Sequence, residues 1–286
     1  SLKRDLQNLQ HEQRKTEATS DLLYNDPIFE KFFGSYASTS STAGNSNAFV
    51  VAGNFSVSSL PLLANDPHNV FTAPGLFLLV HLVSKESGIN AIGASYPGLP
   101  GIYIGKNQNI TWGISNAMAD CQDLYVMNDT DSSRLSYYYN GQLVPYSIRT
   151  EQINIKNEPP VLLHVKHSVY GPIVNEALQL QGNSIALSSW ISWSTTHGNF
   201  SGKDSSLSTL LTVMKSQSWS QFKSALLQDS NFSPLQNFGF ADASGNIGYL
   251  AAGKVPIRRR GHSGLFPVIG NGSFDYVGFV PSAELP

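Results

Sequence analysis

The chain has 286 residues, 41% of them apolar and 13% charged, with a net charge of −2. That length holds a substantial core in one large domain or two small ones, and a charge so near balance gives no reason to expect nucleic acid or an anionic membrane as partner. A single cysteine, Cys121, excludes a disulfide framework and a zinc-ligand cluster and reads as a small buried hydrophobe, and no stretch approaches the ~20 apolar residues of a membrane span.

Residues 1–34 read as helical. Leu2, Leu6 and Leu9 recur at helical spacing, and Asp26 with Pro27 opens a second short helix. The Ser/Thr/Gly-rich run over 35–45 reads as a spacer. From there the texture is β. "AFVVAG", "LPLLAN", "LFLLVHLV", "INAIGASY", "GIYIG", "NITWGIS" and "DLYVMN" are short apolar runs between Gly, Pro and Asn. Several are continuous, as expected of strands buried on both faces. "LSYYYNGQLVPY" predicts a hairpin turning at Asn140-Gly141, and strands continue through "VLLHVKHSVYGPIV" and "IALSSWISW". Residues 205–228 return to helix, with Ser218 as a cap and Trp219, Phe222, Leu226 and Leu227 on one face. "NFGFADASGNIGYLAAG" predicts a hairpin turning at Ser244-Gly245-Asn246. Buried sheets with helices outside imply an α+β chain layered around two sheets.

Ser46 lies in "STAGNSNAFVVAG", which nearly spells the G-x-S-x-G elbow of a serine hydrolase. That elbow needs strand, turn and then helix. Here the order is loop, serine, strand, so the elbow fails on context. Two readings remain. Ser46 merely opens a strand, or a cut between Asn45 and Ser46 makes it a new N-terminus. In the second case its own α-amine, with a pKa of about 7.7–8.0, reaches its own hydroxyl as a base.

"LLANDPHNVFTAPGLFLLVHLV", "SYPGLPGIYIGKNQNITWGISNAMADCQDLYV", "QNFGFADASGNIGYLAAGKVPIRRRG" and "YVGFVPSAELP" together resemble the penicillin amidase family of N-terminal-nucleophile hydrolases over nearly all of 46–286. The resemblance implies a four-layer αββα sandwich made by self-cleavage of a precursor. On it, 1–34 is the helical end of an α-chain or propart, 35–45 is a spacer removed at maturation, and 46–286 is the N-terminal part of the β-chain. Ser46, Asn47 and Phe49 match the family's processing site; Asn45 stands where Gly is common.

Carried over residue by residue, the resemblance makes Ser46 both nucleophile and, through its α-amine, base. His68 would orient amine and hydroxyl; by itself, outside the block, it reads as a loop histidine capping a turn after Pro67. The oxyanion would be met by the backbone N–H of Asn116, with Ala117 as the alternative, and by the side chain of Asn237. A neutral amide suits this task because it donates without needing a proton of its own. Arg259 is the first choice among Arg258, Arg259 and Arg260 for an arginine that helps hold the site. Asp120, the Gln122 carbonyl and Asp123 fall where the family binds one structural Ca2+, oxygen ligands suited to a hard cation; hydrogen-bonding loop anchors are the alternative. Asn69, Ile104 and Ile114 fall at acyl-pocket positions, where an amide and an aliphatic residue replace two aromatics and point away from a phenylacetyl group. No organic cofactor is implied. His81, His164, His167, His197 and His262 have no metal-ligand spacing and read as sheet or loop residues.

The expected function is an amide hydrolase acting on β-lactam antibiotics or acyl amides such as acyl-homoserine lactones, an α/β heterodimer once processed, in the periplasm or outside the cell. Both ends read as cuts within a longer protein. The rival expectations are a member that never matures and serves as a binding domain, and a conventional Ser-His-Asp hydrolase whose activity survives without cleavage.

Overall fold

The computed structural model describes residues 46–69, 72–129, 134–175, 186–191, 204–227 and 232–286. The helices expected in 1–34 and the spacer 35–45 lie outside them. In chain order the strands are β1 (Ser46–Val51), β2 (Leu62–Pro67), β3 (Leu78–Ser84), β4 (Ile89–Ser95), β5 (Ile104–Lys106), β6 (Ile110–Asn116), β7 (Gln122–Met127), β8 (Ser136–Tyr139), β9 (Gln142–Pro145), β10 (Ser147–Ile153), β11 (Val161–Ser168), β12 (Gly171–Pro172) and β13 (Ala186–Ile191). Helices α1 (Ser206–Lys215) and α2 (Trp219–Leu227) follow, then β14 (Gln236–Asp242), β15 (Ile247–Ala252), β16 (Pro256–Ile257), β17 (Val268–Ile269) and β18 (Gly278–Phe279). They fall into two compact units. The first takes its described residues from Ser40–Cys121, Gly202–Val255 and Phe279–Pro286, the second from Gln122–Ser201 and Pro256–Gly278.

The first unit is built on a six-stranded sheet in the order β15-β14-β6-β5-β4-β3. Its two faces differ in side-chain size, which is what a period of two along each strand permits. On one face Trp112, Ile114, Phe238 and Phe240 join Phe222, Leu226, Val213 and Met214 of the two helices in a single core cluster. On the other face the small residues Gly113 and Gly239 admit the β1–β2 hairpin. A Cβ at Gly239 would sit 3.4 Å from Val50 Cγ2. Helices, sheet and hairpin are thus three successive layers of this unit. The outer face of the hairpin carries no helix among the described residues, and Phe49 there is 60% exposed.

The helix expected over 205–228 is broken into two. The Ser216 backbone leaves the helical region, and the buried amide of Asn107 donates to the carbonyls of Met214 and Ser216 at 3.0 and 2.7 Å. Those carbonyls have no partner inside the helix, so a side chain from the sheet satisfies the end. The predicted cap holds: Ser218 Oγ accepts from the Gln221 N–H at 3.4 Å. Strand β3, from the apolar run "LFLLVHLV", is the edge of the sheet, and Leu78, Leu79, Leu82 and Val83 are exposed. Cys121, read as buried, is half-buried.

The second unit holds the sheet β13-β7-β17, the sheet β10-β11-β12 and the β8–β9 hairpin. That hairpin turns as expected, with φ of +50° at Asn140 and +76° at Gly141. Tyr125 stacks on Tyr170 with ring centroids 3.9 Å apart, and Asp275 accepts from the hydroxyls of Tyr139 and Tyr170 at 2.6 and 2.7 Å. No described helix is long and apolar enough to cross a membrane.

Candidate active site

Ser46 is the first residue of β1 and pairs with Pro67 of β2. Along β1 the residues alternate, so Ser46 shares with Ala48 and Val50 the face turned to the sheet. Ala48 and Val50 meet Gly239. Gly239 lies one pleat repeat along β14 from Asn237. The hairpin therefore runs the Ser46 strand over the part of the sheet that carries Asn237 and the end of β6.

The register of β14 against β6 sets Asn237 opposite Ser115 and Gln236 opposite Asn116. The Tyr249 hydroxyl donates to Asn237 Oδ1 at 2.7 Å. That bond decides which end of the amide is which: with its oxygen held, Nδ2 is turned to the end of β6. There it makes only long contacts, 3.4 Å to Ser115 Oγ and 3.5 Å to the Asn116 carbonyl. A donor so weakly engaged is readily given to a stronger acceptor. Beyond β6 the chain turns away as the Met118 N–H donates to Asn116 Oδ1 at 3.1 Å. The predicted oxyanion pair, the Asn116 backbone and the Asn237 side chain, is thus brought together at one end of two adjacent strands. Chemically, a neutral amide N–H so weakly engaged can be given to a developing oxyanion.

Asn65, which the sequence reading did not single out, lies between hairpin and sheet. Its Nδ2 donates to the carbonyls of Asn47 and Ile114 at 2.8 and 3.1 Å, and its Oδ1 accepts from the Ile114 N–H at 2.9 Å. A Cβ at Gly113 would lie 3.0 Å from Asn65 Cβ, so glycine is what lets the amide approach.

The other expected residues are less gathered. His68 is exposed, and its ring Nε2 lies 3.0 Å from Asp66 Oδ2. Asp66 is on the outer face of the hairpin, so His68 is paired away from Ser46. Asn69 is exposed in the turn after β2. Ile114 is in the core, and Ile104 packs against the same cluster under the helices.

In the second unit Asp123 is buried. Its Oδ2 accepts from Arg258 Nε at 2.8 Å, and its Oδ1 lies 3.3 Å from Nε2 of the buried His262. His262 Nδ1 is 3.2 Å from the Phe274 carbonyl. Burial resists the charge on Asp123, but the bonds from His262 and Arg258 outweigh it and hold its carboxyl below the usual range. Burial, then the Asp123 charge, pushes the Tyr276 phenol well above its ordinary value. Asp123 so placed does not fit a calcium ligand, because its carboxylate is already balanced by a guanidinium; Asp120 and Gln122 are exposed. Among the described residues no group of three or more His, Cys, Asp or Glu is placed to hold a metal ion. Of the three arginines, Arg258 is the half-buried, ion-paired one; Arg259 and Arg260 are exposed. His262, read from the sequence as an ordinary loop residue, belongs to this knot.

A family profile described as penicillin amidase matches residues 1–286. The acyl-homoserine lactone acylase QuiP of Pseudomonas fluorescens (strain Pf0-1) is 30% identical over 240 residues, covering 82% of this chain and 28% of that protein. The penicillin acylase 2 proenzyme of Pseudomonas sp. (strain SE83) is 27% identical over 249 residues, covering 85% and 30%. The penicillin G acylase of Escherichia coli is 26% identical over 237 residues, covering 82% and 26%. The chain thus spans under a third of the length of these relatives. Among solved structures, the thermostable penicillin G acylase of Alcaligenes faecalis superimposes with a TM-score of 0.71 at 22% identity, covering 85% of this chain and 41% of that one. That likeness establishes a shared fold.

Proposed function

The chain belongs to the penicillin amidase family, and from that we propose that it is an amide hydrolase that cuts itself before Ser46 and then deacylates N-acyl substrates through an acyl-enzyme on Ser46. The observation that carries the reading is the placement of the Ser46 strand over the sheet ends that hold Asn237 Nδ2 and the end of β6.

After the cut, the free α-amine of Ser46 takes the proton of its own hydroxyl as Oγ attacks the acyl carbon. An amine with a pKa of about 7.7–8.0 is partly unprotonated at neutral pH and can do this. The carbonyl electrons move onto oxygen, which meets the Asn116 N–H and the Asn237 amide. Collapse expels the substrate's amine, which leaves with the proton held on the α-amine. Water, deprotonated by the same amine, then attacks the acyl ester, and the acid departs with Ser46 restored. The substrate class we infer is a linear acyl amide of the kind the named relatives act on, a penicillin or an acyl-homoserine lactone. On the resemblance, an amide at Asn69 and an aliphatic residue at Ile104 in place of aromatic residues point away from a phenylacetyl group; the packing of Ile104 and Ile114 under the helices keeps those two side chains from lining the pocket in this arrangement. Processing would leave an α/β heterodimer acting outside the cytoplasm.

Intact-mass measurement tests the reading. A fragment beginning at Ser46, absent in Ser46→Ala, together with a burst of acyl product, is the expected result. An uncut chain that releases no acid from penicillin G, penicillin V or acyl-homoserine lactones would overturn it.

A further inference from the structure

We propose that Asn65 is a positioning residue of this site, an amide that stands in for a missing strand and locks the Ser46 strand to the oxyanion strand. The inference rests on the function proposed above.

Strand β6 has β14 on one side along its length, but on the other β5 pairs with it only through Thr111 and Trp112. Beyond Trp112 the second side is open. In an antiparallel ladder the N–H and C=O of one residue point to the same side, and successive residues alternate. Asn65 occupies the open side at Ile114. Its Oδ1 takes the Ile114 N–H at 2.9 Å and its Nδ2 donates to the Ile114 carbonyl at 3.1 Å. These are the two bonds that one residue of a neighbouring antiparallel strand would make. The second hydrogen of Nδ2 goes to the Asn47 carbonyl at 2.8 Å, in the residue next to Ser46. One side chain thus uses both amide hydrogens and its oxygen to join β1 to β6.

The alternation also says what this does for the chemistry. Asn116 lies two residues beyond Ile114, so its N–H points to the side on which Asn65 lies. Asn65 therefore sets the height of the Ser46 strand over the backbone donor that we assign to the oxyanion. Loss of the amide frees both strands at this joint. A misplacement of about 1 Å in a reacting geometry costs about 100-fold in rate.

The test uses the full chain with Asn65→Ala and Asn65→Asp, and with Leu62→Ala on the exposed face of β2 as control. With an active wild type, Asn65→Ala is expected to lower kcat by about 100-fold and leave KM within about threefold, and to speed hydrogen exchange at the Ile114 N–H. Asn65→Asp keeps the acceptor for that N–H but sets a carboxylate against two carbonyls. It is expected to lose as much kcat while the Ile114 N–H stays protected, and it carries the test by itself if Asn65→Ala does not fold. Leu62→Ala is expected to match wild type. A kcat retained within about threefold in either variant, or unchanged exchange at Ile114 in Asn65→Ala, overturns the role of Asn65. An uncut, inactive wild type overturns the proposed function instead, and the exchange result still reports on the joint.

Discussion

The two units hold polar groups together by opposite means. In the first, the contacts are made by neutral amides: Asn65 joins the hairpin to β6, and within the sheet Asn237 is held by Tyr249. In the second, the knot behind β7 is ionic: Asp123 with Arg258 on one oxygen and His262 facing the other. Neutral amides keep their donors at any pH, which suits a place where an oxyanion must form. A buried ion pair binds its neighbours firmly but depends on each partner and on protonation. The difference teaches where each unit is vulnerable.

Breaking the ionic side has the largest expected effect. Arg258→Ala leaves a buried carboxylate without its guanidinium and is expected to cost about 3–5 kcal/mol of stability, read as a fall in the denaturant midpoint. The pH dependence follows from the lowered pKa of Asp123. A carboxyl whose folded pKa is depressed contributes its stability in full above the ordinary value of about 3.9 and loses it as pH falls through the folded value. The gap between wild type and Arg258→Ala should therefore be wide near neutral pH and close below about pH 3.9. A gap that persists in acid would mean that packing of the arginine, rather than charge, holds the knot.

Breaking the neutral side touches chemistry rather than stability. Asn237→Ala removes one oxyanion donor and is expected to lower kcat by about 10²–10³-fold, about 2.7–4 kcal/mol, with little change in the unfolding midpoint. Tyr249→Phe keeps the ring and removes only the hydroxyl that turns the Asn237 amide. One net hydrogen bond is worth about 1 kcal/mol, so kcat is expected to fall about fivefold. A Tyr249→Phe loss as large as that of Asn237→Ala would show that the amide flips outright once released.

The local turns and caps were legible in the sequence; the long-range partners that carry this comparison were not, for a physical reason. Asn140-Gly141 and the Ser218 cap are local, and local rules found them. Asn116 and Asn237 came from long motif blocks, and the register of β14 on β6 sets them side by side. The Ser218 cap marked where α2 starts, but what satisfies the end of α1 was not legible, because Asn107 is more than 100 residues away in sequence. The bonds of Asn65 to Ile114 span 49 positions and those of Asp123 to Arg258 span 135. Nothing in the spacing of Asn65, Asp123 or His262 announces such partners. The one available signal was Gly113, a small residue in an otherwise bulky strand that lets something approach closely.

The smallest expected effect is at the exposed pair of His68 and Asp66, and it sharpens the comparison most cheaply. Their side chains are 41% and 78% exposed, so solvent screens the pair and Asp66→Asn is expected to change stability by less than about 1 kcal/mol. What the substitution does to activity is the informative part. The pair lies on the outer face of the hairpin, while Ser46 is on the inner one. If that arrangement persists in the mature enzyme, freeing the ring from Asp66 leaves kcat unchanged. If maturation turns the ring toward the new α-amine, Asp66 competes with that position, and Asp66→Asn should raise kcat or shift the acidic limb of its pH profile with stability unaltered. A pH profile of kcat/KM for wild type and Asp66→Asn decides between a bystander histidine and one that the carboxylate holds in reserve.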